Sequence, residues 1–175
     1  MSKNFTLRGL LAMLLISVAG MASATVVTVD AKINSLGGGG TAKLTGVMLS
    51  AHQSFTVTVN PASLWNYGGG FAQYTTNANG SGNLDFNVPN PDGTVLHTSI
   101  GALIGQVGTG DFFFVGTNYS GFAAGAGQLK FYYVDSDANN NSGSVQADIK
   151  AVPEPGSLAL IGLGLLALAR RRRQA

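Results

Sequence analysis

The sequence predicts an all-β fold, an antiparallel β-sandwich of the jelly-roll kind, for the central part of the chain. Short segments alternate apolar and polar residues, as strands with one buried face do. Clusters of Gly, Asn, Ser, Asp and Pro separate these segments at short intervals. The interior has no stretch with apolar residues at convincing helical spacing. These three observations favour seven or eight short strands in two packed sheets.

The predicted strands follow one another through the whole interior of the sequence. The clearer ones are Thr25–Ile33, Leu44–Leu49, Phe55–Val59, Ile100–Val107, Asp111–Val115, Leu129–Val134 and Ser144–Ile149, and the shorter candidates are Phe71–Thr76 and Thr94–His97. Predicted loops and turns separate them at Gly37–Gly40, Asn60–Gly70, Asn79–Gly82, Val88–Gly93 and Gly121–Gly127. We expect Asp111–Val115 to be a core strand and the last two strands to form a hairpin-like pair.

The N-terminal residues 1–24 have the three parts of a secretory signal peptide. Lys3 and Arg8 supply the positive charge, and Leu10–Ala19 is the apolar segment. Ala22–Ala24 is a small-residue site for signal peptidase, so the mature chain is predicted to begin at Thr25. These features predict export through the inner membrane.

The C-terminal residues 152–175 form a second targeting segment. A Val-Pro-Glu-Pro motif precedes the apolar run Ser157–Ala169, and four arginines follow that run. This run is shorter than the roughly 20 residues of an ordinary membrane helix, and the arginines favour retention of the terminus on the cytoplasmic side. The residues of the predicted signal are Val152, Pro153, Glu154, Pro155, Arg170, Arg171, Arg172 and Arg173.

This arrangement resembles the PEP-CTERM sorting signal of Gram-negative bacteria, over Val152–Ala175. The resemblance implies a transient transmembrane helix, recognition by an exosortase and cleavage near Pro153–Pro155. It also implies delivery to the cell surface or to an exopolysaccharide matrix. Removing both ends leaves residues 25–151 as the predicted β-sandwich domain.

The charge and the cysteine count of this domain exclude several classes of function. Between Thr25 and Val152 the sequence has four lysines and seven aspartates, so the mature domain is mildly acidic. Nucleic-acid binding is excluded because it needs clustered positive charge. The chain has no cysteine, which rules out disulfides and thiolate metal sites.

The loop between the last two predicted strands is rich in oxygen-bearing side chains. It contains Asp135, Asp137, Asn139, Asn140 and Asn141. Carboxylate and amide oxygens are the ligands that calcium prefers. The same residue types also favour a polar turn for backbone reasons alone, so the local sequence leaves both interpretations open.

The residues that catalysis requires are poorly represented. The two histidines, His52 and His97, have no second His or Cys at the spacing of a zinc site. No Gly-x-Ser-x-Gly nucleophile motif is present. Asp135 and Asp137 are the only close acidic pair, and their amide-rich loop suits an ion better than acid–base catalysis. We therefore expect no enzymatic activity.

Six segments of the domain resemble the bacterial galactophilic lectins of the PA-IL type, from about Leu44 to Ile149. In chain order the segments are LWNYGG, NPDG, IGALIGQVG, FVG, GQLKFYYVD and NNNSGSVQADI. The resemblance implies a calcium ion held between two loops, which also coordinates sugar hydroxyls. The calcium ligands that it implies are Asp135, Asn140, Asn141 and backbone carbonyls at Tyr67 and at or near Asp137.

The sequence departs from the lectin pattern on the side that contacts the sugar. A histidine and a glutamine of the family fall at Asn90 and Gly93 here, while Asp92 is kept. The resemblance places Asn90 and Asp92 at the sugar, with a changed rim. The sequence thus predicts an exported calcium-dependent protein that binds extracellular polysaccharide or another glycan. The alternatives are a structural matrix protein that keeps the fold without a sugar site and, less favoured, an enzyme acting on polysaccharide.

Overall fold

The computed structural model describes residues 23–82 and 85–152, together with Gly162 and Gly164. Ser23–Ala151 forms one compact unit. The predicted signal peptide up to Ala22 and nearly all of the predicted sorting signal, from Pro153 to Arg173, lie outside the described residues. Among the residues that are described, no helix is long and apolar enough to cross a membrane.

The described residues fold into an all-β structure, which confirms the predicted fold class. In chain order the strands are β1 (Ser23–Asp30), β2 (Lys43–Leu49), β3 (Ser54–Val59), β4 (Trp65–Asn66), β5 (Thr75–Thr76), β6 (Asp85–Pro89), β7 (Val95–Ser99), β8 (Leu103–Val107), β9 (Phe112–Phe114), β10 (Asn118–Phe122), β11 (Gly127–Tyr133) and β12 (Ser142–Ala151). Two short 3-10 helices, Ala72–Tyr74 and Ala138–Asn140, accompany them.

Two antiparallel sheets and a hairpin make up the architecture. The first sheet has the order β10-β3-β12-β4-β5, with β1 paired to β12 as its sixth strand. The second has the order β2-β11-β8-β9, and β6 and β7 form a separate two-stranded ribbon. The ten-residue strand β12 pairs with β1, β3 and β4, so it is the central strand of the first sheet.

The main core lies between the two sheets, as alternation along the strands predicts. Phe55, Val57 and Val59 on β3 face it from the first sheet. Leu129, Phe131 and Tyr133 on β11 face it from the second. Trp65 is also buried here, and its indole Nε1 donates hydrogen bonds to the carbonyls of Asn77 and Gly101.

A second, smaller core explains the continuous apolar character of β8. Every residue of that strand is buried. Its outer face, represented by Ile104, packs with Val88, Ala102 and Val134 against apolar side chains that include Leu96 of the β6–β7 ribbon. A strand that is covered on both faces needs no polar alternation.

Several local predictions were wrong, each because the decisive contacts are distant in sequence. β11 and β12 lie in different sheets, so the predicted hairpin does not exist. The predicted strand Phe71–Thr76 is a 3-10 helix followed by a two-residue strand. β10 was predicted in part as a loop, and it pairs with β3. β9 is an edge strand with Phe114 exposed, so the predicted core strand contributes to the core on one face only, through Phe113.

The two ends of the sandwich carry different features. We name the end with the Asp135–Asn141 loop the loop pole, and the end at which β12 finishes, at Ala151, the terminal pole. β12 begins directly after the loop and runs ten residues, about 30 Å at the usual rise of a strand. Ser23 at the start of β1 pairs with Ala151. Both limits of the compact unit therefore lie at the terminal pole.

Candidate functional site

Two loops that are distant in sequence meet at the loop pole. The pairing of β4 with the start of β12, Ser142 opposite Asn66, brings them side by side. The Gly69 amide then donates a hydrogen bond to the Asn140 carbonyl at 2.7 Å. Tyr67, Asn140 and the remainder of the Asp135–Asn141 loop are therefore gathered at one end of the molecule, where a shared ion is feasible.

Asp135 is a buried carboxylate with one oxygen unsatisfied. It follows β11 directly, and only 3% of its surface is exposed. Its Oδ1 accepts a hydrogen bond from the Asp137 amide at 3.1 Å, whereas its Oδ2 is buried with no partner among the described residues. Burial raises the pKa of this carboxyl above its ordinary value. An unpaired anion in this position is unfavourable unless a positive charge accompanies it.

Asn141 lies beside Asp135 and carries a second buried oxygen without a partner among the described residues. Its Nδ2 donates to the Ala31 carbonyl at 3.3 Å, an assignment that leaves its Oδ1 buried with no partner in the described part of the chain. The Asn141 side chain lies close enough to Asp135 to lower the pKa of that carboxyl, against the larger effect of burial. The two side chains thus form one cluster.

Tyr133 adds a third buried oxygen to this cluster. Its hydroxyl has no hydrogen-bond partner within residues 23–82 and 85–152. Burial, followed by the charges of Asp135 and Tyr67, raises the pKa of Tyr133, so the phenol is neutral at physiological pH. Each unsatisfied buried polar group costs about 1–3 kcal/mol, so these three oxygens make this end of the molecule the candidate site for a ligand.

The exposed part of the loop has a different role in the structure. Asp137 accepts a hydrogen bond from the Asn139 amide at 3.0 Å and caps the 3-10 turn Ala138–Asn140. Asp137, Asn139 and Asn140 are exposed. Within the described residues, no three His, Cys, Asp or Glu side chains gather in one place. The oxygens available at this site therefore come from one buried carboxylate, amides, a phenol and the backbone.

A glycine-rich loop between β1 and β2 supports the site from behind, and the sequence did not reveal this role. The carbonyl of Asp135 accepts hydrogen bonds from the Gly37 amide and the Ser35 hydroxyl. A Cβ on Gly37 or Gly38 would collide with the backbone of residues 136–138. The run of four glycines was the available signal, and it reflects close backbone approach as well as flexibility.

Asn90 and Asp92 are not brought to this site. Asn90 Oδ1 accepts from the Phe112 amide, and Asp92 accepts from the amide and hydroxyl of Thr94. The Thr94 hydroxyl is also the main reason why the pKa of Asp92 is lowered. Phe112 pairs with Gln106, towards the end of β8 remote from Tyr133. The expected sugar contacts therefore lie towards the terminal pole, because the β6–β7 turn extends that way.

Comparison with known proteins gives different matches for the C-terminal tail and for the β domain. Residues 151–173 match the family described as the PEP-CTERM protein-sorting motif. The chain carries a PEP-CTERM sorting motif. This confirms the resemblance predicted for the C-terminal segment.

The domain has a structural relative among solved proteins. The N-terminal domain of EclA, described as a PllA-like lectin, superposes with a TM-score of 0.53 and 21% sequence identity. The match covers 73% of this chain and 95% of that one. No curated protein sequence matches the chain. The likeness confirms a lectin-like fold, and at this identity it shows the fold alone.

Proposed function

We propose that the protein is an exported, calcium-dependent carbohydrate-binding protein whose ligand site lies at the loop pole. The observation that carries this proposal is the cluster of buried, unsatisfied oxygens at Asp135, Asn141 and Tyr133. A calcium ion accepts six to eight oxygen ligands and would neutralise the buried carboxylate. The lectin-like fold and the sorting motif support the same proposal.

The residues present fit a calcium ion. Asp135 and Asn141 would supply side-chain oxygens, Asn140 a further amide oxygen, and Tyr67 and Asp137 backbone carbonyls. This set leaves coordination positions free, which vicinal sugar hydroxyls can fill. The bound ion supplies positive charge and polarises these hydroxyls, while the protein fixes their orientation.

The sorting motif supports the proposed route. We infer that signal peptidase cleaves after Ala24 and that the hydrophobic tail holds the chain in the inner membrane until an exosortase cleaves near Pro153–Pro155. The mature, non-enzymatic domain then reaches the surface or matrix of a Gram-negative cell. Cleavage after Ala24 would remove Ser23 and Ala24 from β1 and leave six residues of that strand paired.

Isothermal titration of the full chain tests the proposal. Calcium is titrated first, and methyl glycosides of galactose, glucose, mannose and fucose follow with and without calcium. We expect saturable calcium binding and sugar binding that a chelator abolishes. Absence of calcium binding at millimolar concentrations would refute the calcium-dependent site.

One observation favours a second candidate, a structural matrix protein that keeps the fold without a sugar site. Asn90 and Asp92 lie away from the loop pole, so the sugar-facing residues implied by the family resemblance are missing there. Asp135→Asn separates the two candidates. A lectin loses glycan binding in this variant, whereas a matrix protein retains its assembly.

A further inference from the structure

Three aromatic residues form a continuous group next to the loop pole. The rings of Tyr67 and Tyr74 have centroids 5.4 Å apart, and Phe71 meets Tyr74 edge to face at 6.3 Å. Phe71 is 64% exposed and Tyr74 is 37% exposed. Large aromatic side chains are usually buried in a domain of this size, so two exposed rings in contact with each other require an explanation.

The loop that carries these rings is rigidly built. The buried side chain of Asn66 donates to the Phe71 carbonyl at 2.7 Å and to the Thr75 hydroxyl at 3.1 Å. Its Oδ1 accepts from the amides of Gly68 and Gly70. The side chain of one asparagine therefore makes four hydrogen bonds to groups of this loop. The backbone at Phe71 is held on both sides, because its amide donates to the Gly68 carbonyl and its own carbonyl accepts from Asn66.

Gly68 fixes the position of the Tyr74 ring. A Cβ at Gly68 would overlap the ring atoms of Tyr74, so the ring lies directly against the backbone at this residue. This packing places one edge of the aromatic group over the segment that contributes the Tyr67 carbonyl.

The aromatic group and the candidate calcium site share one surface. The loop that holds the rings is joined to the neighbouring loop of the candidate site by the hydrogen bond from Gly69 to Asn140. Tyr67 belongs to both, because its ring contacts Tyr74 and, together with the hydroxyl of Tyr133 in the buried cluster, lies against the same backbone glycine. The aromatic group therefore lies on the loop directly beside the proposed ion site.

We propose that Phe71 and Tyr74 form a second sugar subsite, which stacks on the residue next to the one held at the calcium ion. A pyranose ring has an apolar face of C–H groups, which complements the electron-rich face of an aromatic ring. The ligand class is therefore an oligosaccharide or a polysaccharide. This inference rests on the proposed function and deepens it. A nucleobase is the poorer occupant, because it would come with the phosphates of a nucleic acid. The domain has four lysines and seven aspartates, and this net negative charge repels a polyanion.

The test compares Phe71→Ala with the parent full chain, in a detergent that has no sugar headgroup. The probes are the methyl glycosides of galactose, glucose, mannose and fucose, and the di- to tetrasaccharides of the same sugars. We expect Phe71→Ala to weaken oligosaccharide binding roughly three- to tenfold. Calcium affinity and methyl-glycoside affinity stay unchanged. Phe122→Ala is the matched control, because Phe122 is 69% exposed at the terminal pole.

The outcomes distinguish the subsite from the calcium site. Equal oligosaccharide affinity in Phe71→Ala and the parent overturns the subsite and leaves the proposed function intact. Calcium-independent binding that Phe71→Ala loses supports the aromatic subsite and refutes the calcium requirement. No glycan binding by the parent overturns both. A change of oligomeric state in Phe71→Ala, with glycan affinity unaltered, assigns the rings to a second copy of the chain and overturns the subsite.

Discussion

At the scale of single residues, Asp135 determines the chemistry of the loop pole. Its carboxylate is buried at the end of β11 and has one oxygen without a partner among the described residues. A group of this kind destabilises the folded state unless a ligand compensates for its desolvation. A substitution of Asp135 is therefore the most direct way to measure the effect of the carboxylate on stability separately from its effect on ligand binding.

We expect Asp135→Asn to lose calcium binding without losing the fold. Asparagine keeps the Oδ1 acceptor for the Asp137 amide and removes the buried charge. At calcium concentrations one hundred times the dissociation constant, the parent gains about 2.7 kcal/mol of unfolding free energy and the variant gains none. Urea denaturation with and without calcium measures this difference. Asp137→Asn is the control, since its backbone carbonyl is retained, and a loss of calcium binding there would contradict the assigned roles.

The raised pKa of Asp135 predicts a dependence of stability on pH in the metal-free protein. The folded state binds the proton of this carboxyl more tightly than the unfolded chain does. Stability contributed by this group is therefore present at low pH and falls as the pH rises from about 3.8 through the raised pKa. Denaturation in chelator at a series of pH values, parent minus Asp135→Asn, isolates this contribution. A difference that grows in favour of the parent with rising pH would contradict the sign.

At the scale of elements, the loop pole is assembled by segments that have little regular structure of their own. Asn66 organises the loop after β4, and the glycines after β1 support the Asp135–Asn141 loop. Regular strands provide the frame, but side chain–backbone hydrogen bonds set the positions of the candidate ligands. Local changes in these loops therefore affect the site more than the sheets.

Asn66→Ala is expected to destabilise the protein by about 2–4 kcal/mol, because it leaves two loop amides without their partner and removes a hydrogen bond to the Phe71 carbonyl. The expected loss also includes calcium affinity, through displacement of Tyr67. Chemical denaturation and calcium titration measure both effects. Asn60→Ala is the matched control, since Asn60 makes one exposed bond to the Ala62 amide and should change stability by less than about 0.5–1 kcal/mol. Equal losses of stability in the two variants would contradict the role of Asn66 in organising the loop after β4.

The sequence predicts most strands and cannot predict which of them are partners. Apolar and polar residues alternate in Phe55–Val59 and Leu129–Val134, and this local pattern shows that each strand has one buried face. The separation of β11 and β12 into different sheets depends on pairings with β8, β1 and β3, which local patterns do not encode. The residue types of the loop marked Asp135 and Asn141 as candidates, and the lectin resemblance selected them as ligands. Tyr133, Asn66 and Ala31 were missed because their roles depend on burial and long-range contacts.

At the scale of the whole molecule, one core holds the two sheets together. Phe131 lies at the centre of this core and is fully buried. We expect Phe131→Ala to lower the unfolding free energy by about 3–5 kcal/mol, through lost burial and a residual cavity. Thermal and urea denaturation check this value. Phe114→Ala, at an exposed edge position, should stay within about 0.5–1 kcal/mol of the parent, and a comparable loss there would argue against the assigned core.

If the C-terminal motif directs sorting, replacing it should change where the protein is found in the cell. Replacing Pro153, Glu154 and Pro155 by alanine is expected to abolish cleavage, so that the protein keeps its tail and stays in the membrane fraction. Fractionation and mass spectrometry of the intact protein show the retained C-terminal residues. Replacing Lys32 and Lys43 in the domain by alanine is the control and should leave processing unchanged. Normal release of the motif variant would refute exosortase processing.

The course of β12 has a mechanical consequence. This strand begins beside the candidate site and ends at Ala151, where the sorting motif starts. Under the proposed function, tension between a bound polymer and the C-terminal segment would run along the continuous backbone of β12, which pairs with β1 and β3. A load on the ligand would thus reach the first sheet through its central strand.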